Sequence, residues 1–143
     1  MRDYKNILLV VDLSDDSQII GERAKAIAAC YQSEITLLHV VEYVPVEPMG
    51  EALLPTVQIE GELVDRAKVR LAELAKKLSL PNSRQMVETG GIKAEIIRTA
   101  QRLHSDLIVL GSRERHGLAI LLNFTEDTIL HAAPCDVLAV RLH

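Results

Sequence analysis

Asp106-Leu107-Ile108-Val109-Leu110-Gly111-Ser112-Arg113-Glu114-Arg115-His116-Gly117 is a short apolar run that empties directly into a loop bounded by two glycines. Asp106 to Leu110 reads as a buried strand, and the residues after it as a turn of phosphate-binding size. Glycine after a strand permits unusual φ values and close backbone approach, and N–H groups exposed in such a turn can hold an anion. Glu114, in the middle of the loop, opposes this because its carboxylate repels the same anion. The strand speaks for the fold, and the loop poses the functional question.

Working outward toward the N-terminus, Gln85 to Thr89 reads as a weaker strand ending at Gly90-Gly91, followed by a helix whose apolar face carries Ile92, Ile96, Ala100 and Leu103. Before it, Leu63, Ala67, Leu71, Leu74 and Leu78 recur at helical spacing from Ile59 onward, and Pro81-Asn82 closes that helix. Glu42 to Gln58 holds three prolines and a glycine without a clean period, which predicts a surface excursion. Glu34 to Val41 and Asn6 to Asp12 are apolar runs of the kind that parallel strands buried on both faces require. Between them, Ser14 is a candidate N-cap with Asp15 and Asp16 in the first turn, and Ile19, Ala24, Ile27, Ala28 and Tyr31 mark the helical face.

Toward the C-terminus, Thr125-Glu126-Asp127 can open a last helix carrying Ile129, Leu130 and Ala133, which Pro134 ends before a strand from Cys135 to Leu142. Five strands alternating with four helices are the grammar of one parallel sheet covered on both faces, an α/β fold. Ligands of such sheets bind at the carboxyl ends of strands where strand order reverses. Val11 to Ser14, His39 to Val41 and Gly111 to Gly117 therefore converge on one crevice.

Composition narrows the partners. The 143 residues, 48% hydrophobic, suit one domain over 1–143. The longest apolar runs, Ile7 to Val11 and Leu118 to Leu122, are too short to span a bilayer, and no cleavable apolar leader follows Met1, which predicts a soluble, cytoplasmic chain with no membrane partner. Cys30 and Cys135 form no Cys-x-x-Cys pair and read as small, reduced core residues. A net charge of −4 without basic clusters, one Phe and no Trp argue against nucleic acid. Small molecules or proteins are the expected partners.

These segments resemble the universal stress protein family along nearly the whole chain. Tyr4-Lys5-Asn6-Ile7-Leu8-Leu9-Val10-Val11-Asp12-Leu13-Ser14 is similar to its opening strand and turn, Leu37-Leu38-His39-Val40-Val41 to its second strand, and Asp106 to Ser112 and Ala133 to Arg141 to its late hallmarks. The resemblance implies a doubly wound five-stranded parallel sheet of the adenine nucleotide alpha hydrolase-like kind, with strand order 3-2-1-4-5, helices on both faces and a homodimer formed through the C-terminal strand. In nucleotide-binding members a Gly-x-x-Gly, a spacer and then Gly-Ser or Gly-Thr hold the phosphates, while the aspartate after the first strand and the residue after the second-strand His approach ribose and adenine.

Carried over residue by residue, the candidate cofactor-binding set is Val11, Asp12, Val40, Gly111, Arg113, Gly117 and Thr125. Gly111, Asp12 and Val40 match the family pattern; Glu114 stands at the second glycine, and the last glycine falls on Asn123 or Phe124. A carboxylate in a phosphate cradle adds repulsion and fills the space that lets N–H groups reach oxygens, and Glu126 and Asp127 occupy the positive end of the next helix. Arg113, Arg115 and His116 supply cations that act the other way, and Glu114 pairing with an arginine on a solvated loop is the plain structural alternative. ATP is thus the ligand in question, weakened by Glu114, Asn123 and Phe124.

No catalytic residue is assigned. Ser112, Glu114 and His116 lie in one loop, whereas a nucleophile, base and acid normally converge from separate segments, and no Gly-x-Ser-x-Gly elbow is present. His39 reads as a satisfied strand-end histidine, and His104, His131 and His143 lack metal-ligand spacing, so no metal is expected. The sequence therefore predicts a non-enzymatic stress-response module with vestigial or altered nucleotide binding; the alternative is an ATP-binding switch with at most slow hydrolysis.

Overall fold

The computed structural model describes residues 3–42, 53–113, 129 and 131–142. Its elements are β1 (Asn6–Val10), α1 (Ser17–Tyr31), β2 (Glu34–Val41), α2 (Leu53–Lys77), β3 (Arg84–Thr89), α3 (Ile92–Arg102), β4 (Leu107–Arg113) and β5 (Asp136–Leu142). The five strands form one sheet in the order β3-β2-β1-β4-β5, every pair parallel. This is the order implied by the resemblance.

Alternation along the strands sorts the core into two layers, because successive side chains leave opposite faces of a sheet. Ile7, Leu9 and Val11 join Leu37, Leu107 and Val109 beneath α1 and α2, where Ile20, Ala24, Leu71, Leu74 and Leu78 close the layer. Leu8, Leu38, Ile108 and Leu110 point the other way, onto Ile96 and Ala100 of α3 and onto Ile129. A sheet with helices on both faces needs both sets of strand side chains to be apolar. β1 meets that demand from Ile7 to Val10.

One glycine sets the helix packing. A Cβ at Gly21 would lie 2.4 Å from Leu78 Cδ1, so α1 and α2 touch where α1 has no side chain. α1 is capped by Gln32, whose left-handed φ of 54° turns the chain so that the Ser33 N–H also donates to the Ala28 carbonyl, at 3.0 Å. Beneath the amino edge of the sheet, the Asp106 carboxylate accepts the N–H groups of Lys5 and Asn6, each at 2.9 Å, and pins the entry to β1.

Several sequence expectations change. α2 starts at Leu53, so the irregular excursion does not reach Gln58; Pro55 sits in the first turn, where a missing N–H costs no helical bond. α1 starts at Ser17 rather than just after Ser14, and Asp15 and Asp16 precede it, because Ser14 is drawn into a turn with Asp12. β4 runs on to Arg113, which makes Gly111, Ser112 and Arg113 strand residues paired with Val140, Arg141 and Leu142. Cys30 is exposed and Cys135 half-buried, since position 30 lies on the outer side of α1, away from Ala24 and Ala28. The opening of the last helix at Thr125 lies outside the described residues; its end is seen where the Ala133 N–H donates to the Ile129 carbonyl at 2.8 Å. Among the described residues no helix is long and apolar enough to cross a membrane.

Candidate functional site

From β1 the chain proceeds through β2 to β3 on one side, and β4 continues to β5 on the other, so the order reverses between β1 and β4. Leu9 and Val109 are register partners, and two residues further along each strand come Val11 and Gly111. Their carboxyl ends open the crevice in which sheets of this kind take ligands.

Val11 is buried and tied to β2 through its N–H, which donates to the Leu38 carbonyl at 3.0 Å. Its own carbonyl lies 2.8 Å from His39 Nδ1. A carbonyl can only accept, so Nδ1 carries the proton there and His39 is satisfied, as its place at the end of β2 suggested. Val40 is buried in the α3 layer beside Leu38 and Ile96.

Asp12 follows as the first exposed residue. Its Oδ1 accepts the Ser14 N–H at 2.9 Å and the Ser17 hydroxyl at 3.1 Å. Partial burial pushes the carboxyl upward, but hydrogen bonds from the hydroxyl and N–H of Ser14, the hydroxyl of Ser17 and its own backbone outweigh it and hold Asp12 below the ordinary aspartate value. The carboxylate is thus fixed and ionised at the mouth of the crevice, an acceptor suited to hydroxyl-bearing ligands.

The next residue, Leu13, has φ of 64°, a left-handed conformation that costs a non-glycine residue about 1–2 kcal/mol. Two contacts over-determine it: its side chain is buried in the core, and its carbonyl accepts a hydrogen bond from Arg70 Nη2 of α2. Arg70, Leu13, Ser14, Ser17, Glu73 and Lys77 line a polar cavity of about 290 Å³ behind the turn. Sequence reasoning missed Arg70 and Ser17. Arg70 reads as one more charge on a helix face, and nothing local announces a partner so far away in the chain.

Gly111 has a different reason to be glycine from the one its motif suggests. Its backbone is not left-handed, and a Cβ there would lie 2.7 Å from Ile20 Cδ1 and 2.8 Å from Leu142 Cδ1. The end methyls of Ile20 and Leu142 already occupy the space a Cβ would take, so packing favours glycine here. Arg113 ends β4, whereas Gly117, Thr125, Glu114, Asn123 and Phe124 lie outside the described residues. Of the expected set, the structure brings together Val11, Asp12, Val40, Gly111 and Arg113 at the carboxyl edge of three adjoining strands. Among the described residues no group of His, Cys, Asp and Glu could hold a metal ion.

Sheet order, helices on both faces and a crevice at the β1–β4 reversal define a doubly wound α/β protein of the adenine nucleotide alpha hydrolase-like class. Residues 3–141 match the Universal stress protein family model. The chain is 40% identical to Universal stress protein A homolog 1 of Coxiella burnetii over 138 residues, covering 96% of each chain. It is 36% identical to Universal stress protein A homolog 2 of the same organism, over 99% of this chain and 98% of that one. Among solved structures it is similar to universal stress protein UspA from Lactobacillus plantarum, with a TM-score of 0.75, 29% identity and coverage of 99% and 100%. A universal stress protein solved in complex with cAMP shares the fold, with a TM-score of 0.71, 18% identity and 99% of each chain covered. The chain belongs to the universal stress protein family.

Proposed function

We propose that this chain is a single-domain, non-enzymatic stress-response module of the cytoplasm that acts by binding partners, with an altered adenine-nucleotide crevice between β1 and β4. Asp12 carries this reading. Its carboxylate is kept ionised at the crevice mouth, and the residue that follows β4 in the chain is a second acid, Glu114. The Glu114 carboxylate, which the sequence puts at the family's second glycine, disfavours a polyphosphate by charge repulsion, and the methyls crowding Gly111 give that glycine a packing role that needs no ligand. The reading includes a homodimer through β5, whose only sheet neighbour among the described residues is β4.

The second reading, an ATP-binding switch with slow hydrolysis, draws on the relative solved with cAMP and on the hydrogen-bonding capacity of Asp12 toward a ribose. Equilibrium binding of magnesium ATP to the purified protein separates the two. The altered-crevice reading expects no saturation up to millimolar ATP. Micromolar binding that weakens on Asp12→Ala overturns it in favour of the switch, and turnover in a broad ester and phosphate screen that is lost on Ser112→Ala overturns the non-enzymatic part.

A further inference from the structure

α2 is the longest helix among the described residues, and its solvent side carries an unusual order of residues. Ala67, Leu71, Leu74, Ala75 and Leu78 form the row that faces the core. Roughly 150° around the helix from that row, at 100° per residue, run Ile59, Glu62, Arg66 and Val69. Ile59 is 55% exposed and Val69 60%, so two β-branched apolar side chains stand where a solvated helix would carry polar ones. Glu62 and Arg66 are exposed, and neither side chain has an ion-pair partner among the described residues.

The steps of three, four and three between these residues are those of a seam between paired helices. Read in both directions, the seam is self-complementary. If a second α2 lies antiparallel across a two-fold axis level with Val64, Ile59 of one copy meets Val69 of the other, and Glu62 meets Arg66. Symmetry repeats each pairing, giving apolar layers at both ends and opposite charges in the two between. Parallel pairing would instead set Glu62 on Glu62 and Arg66 on Arg66. Arg70 is left to its bond with the Leu13 carbonyl, so the contact draws nothing from the crevice.

We propose that the Ile59–Val69 face of α2 is a self-association surface whose partner is a second copy of this chain, docked antiparallel through Glu62–Arg66 pairs. The seam is about 15 Å long, short of the ~800 Å² per partner that a stable interface buries, so the contact is weak alone and adds to association made elsewhere. Exposed ion pairs are screened, and salt loosens it.

Charge reversal tests this on the full chain by sedimentation equilibrium. Glu62→Arg places like charges in both central layers, as does Arg66→Glu, and each variant is expected to associate through this face about tenfold more weakly or worse. A one-to-one mixture of the two variants restores opposite charges in both layers and should recover the wild-type mass; so should the doubly reversed chain. Association through β5 is common to every species, so its presence or failure shifts all curves together and leaves the differences intact. Single variants that sediment like the wild type, or a mixture that does not recover, overturn the proposal. Circular dichroism melts of the two exposed-site variants confirm that each remains folded.

Discussion

Gly21→Ala and Gly61→Ala are the same chemical change on two helices, and the structure predicts opposite signs for them. Removing a glycine from a helix interior gains about 1 kcal/mol through backbone entropy wherever the new methyl has room. At Gly61 the added Cβ meets nothing within 4 Å, so the full gain of about 1 kcal/mol is expected. At Gly21 it would sit 2.4 Å from Cδ1, 2.8 Å from Cδ2 and 3.2 Å from Cγ of Leu78. Leu78 is fully buried, and a clash that includes its branch carbon cannot be relieved by rotating one methyl away. Overpacking of this kind costs about 1–3 kcal/mol, and the crowded branch point puts Gly21 in the upper part of that range, leaving a net loss of about 1–2 kcal/mol. In urea melts with slopes of about 1–3 kcal/mol/M, the Gly21→Ala midpoint should fall by about 0.5–1 M while that of Gly61→Ala rises. The reasoning also requires coupling: Leu78→Ala should cost less in the Gly21→Ala background than in the wild type, since it removes the atoms that clash. A Gly21→Ala midpoint at or above wild type would refute the packing argument.

Arg70→Met keeps the aliphatic stem but removes the donor to the Leu13 carbonyl; a loss of about 1 kcal/mol is expected in chemical denaturation, with faster amide exchange in the β1–α1 turn, and unchanged exchange at Ser14 would count against the latch. Asp12 is held below its ordinary value, so its contribution is complete above the usual carboxylate range and disappears as pH falls through the lowered one: the stability gap between wild type and Asp12→Ala should be widest near neutral pH and close toward pH 3, and a gap that widens on acidification would contradict the assigned hydrogen bonds. Glu88→Gln removes the carboxylate shared by Arg98 at 3.9 Å and Arg102 at 3.5 Å, but both arginines are largely exposed, so thermal melts should move by less than about 1 kcal/mol equivalent.

The sheet was legible where burial on both faces leaves one continuous apolar signal. β1 and β2 lie within the runs read from sequence, β4 starts in its run but continues past Leu110 to Arg113, and helix faces at Leu71, Leu74 and Ile96 point where their spacing indicated. Strand order came from the resemblance, because periodicity says nothing of which strands are neighbours. Boundaries failed where one residue had two roles open to it. Ser14 has the chemistry of a helix cap, yet its N–H bonds to Asp12 and α1 waits until Ser17. Pro55 breaks a helix interior but not a first turn. At the site, Asp12 and Val11 were readable from their place at a strand end. The Arg70 latch was not, because the hydrogen bond joins residues far apart in the chain, and only the packing of α2 on α1 brings them together.

The reversal of strand order at β1 also sets a timetable for synthesis. β1 can pair with β2, and β2 with β3, soon after they leave the ribosome, but the other edge of β1 waits for β4, where Ile7 meets Leu107 a hundred residues later. At about 5–20 residues per second, that delay leaves Leu8 and Leu9 on an open apolar edge for several seconds. Unpaired edges template association with other chains. The most deeply buried strand of the finished protein is therefore the one that a nascent chain leaves half-paired longest, and that interval is when a chaperone has most to protect.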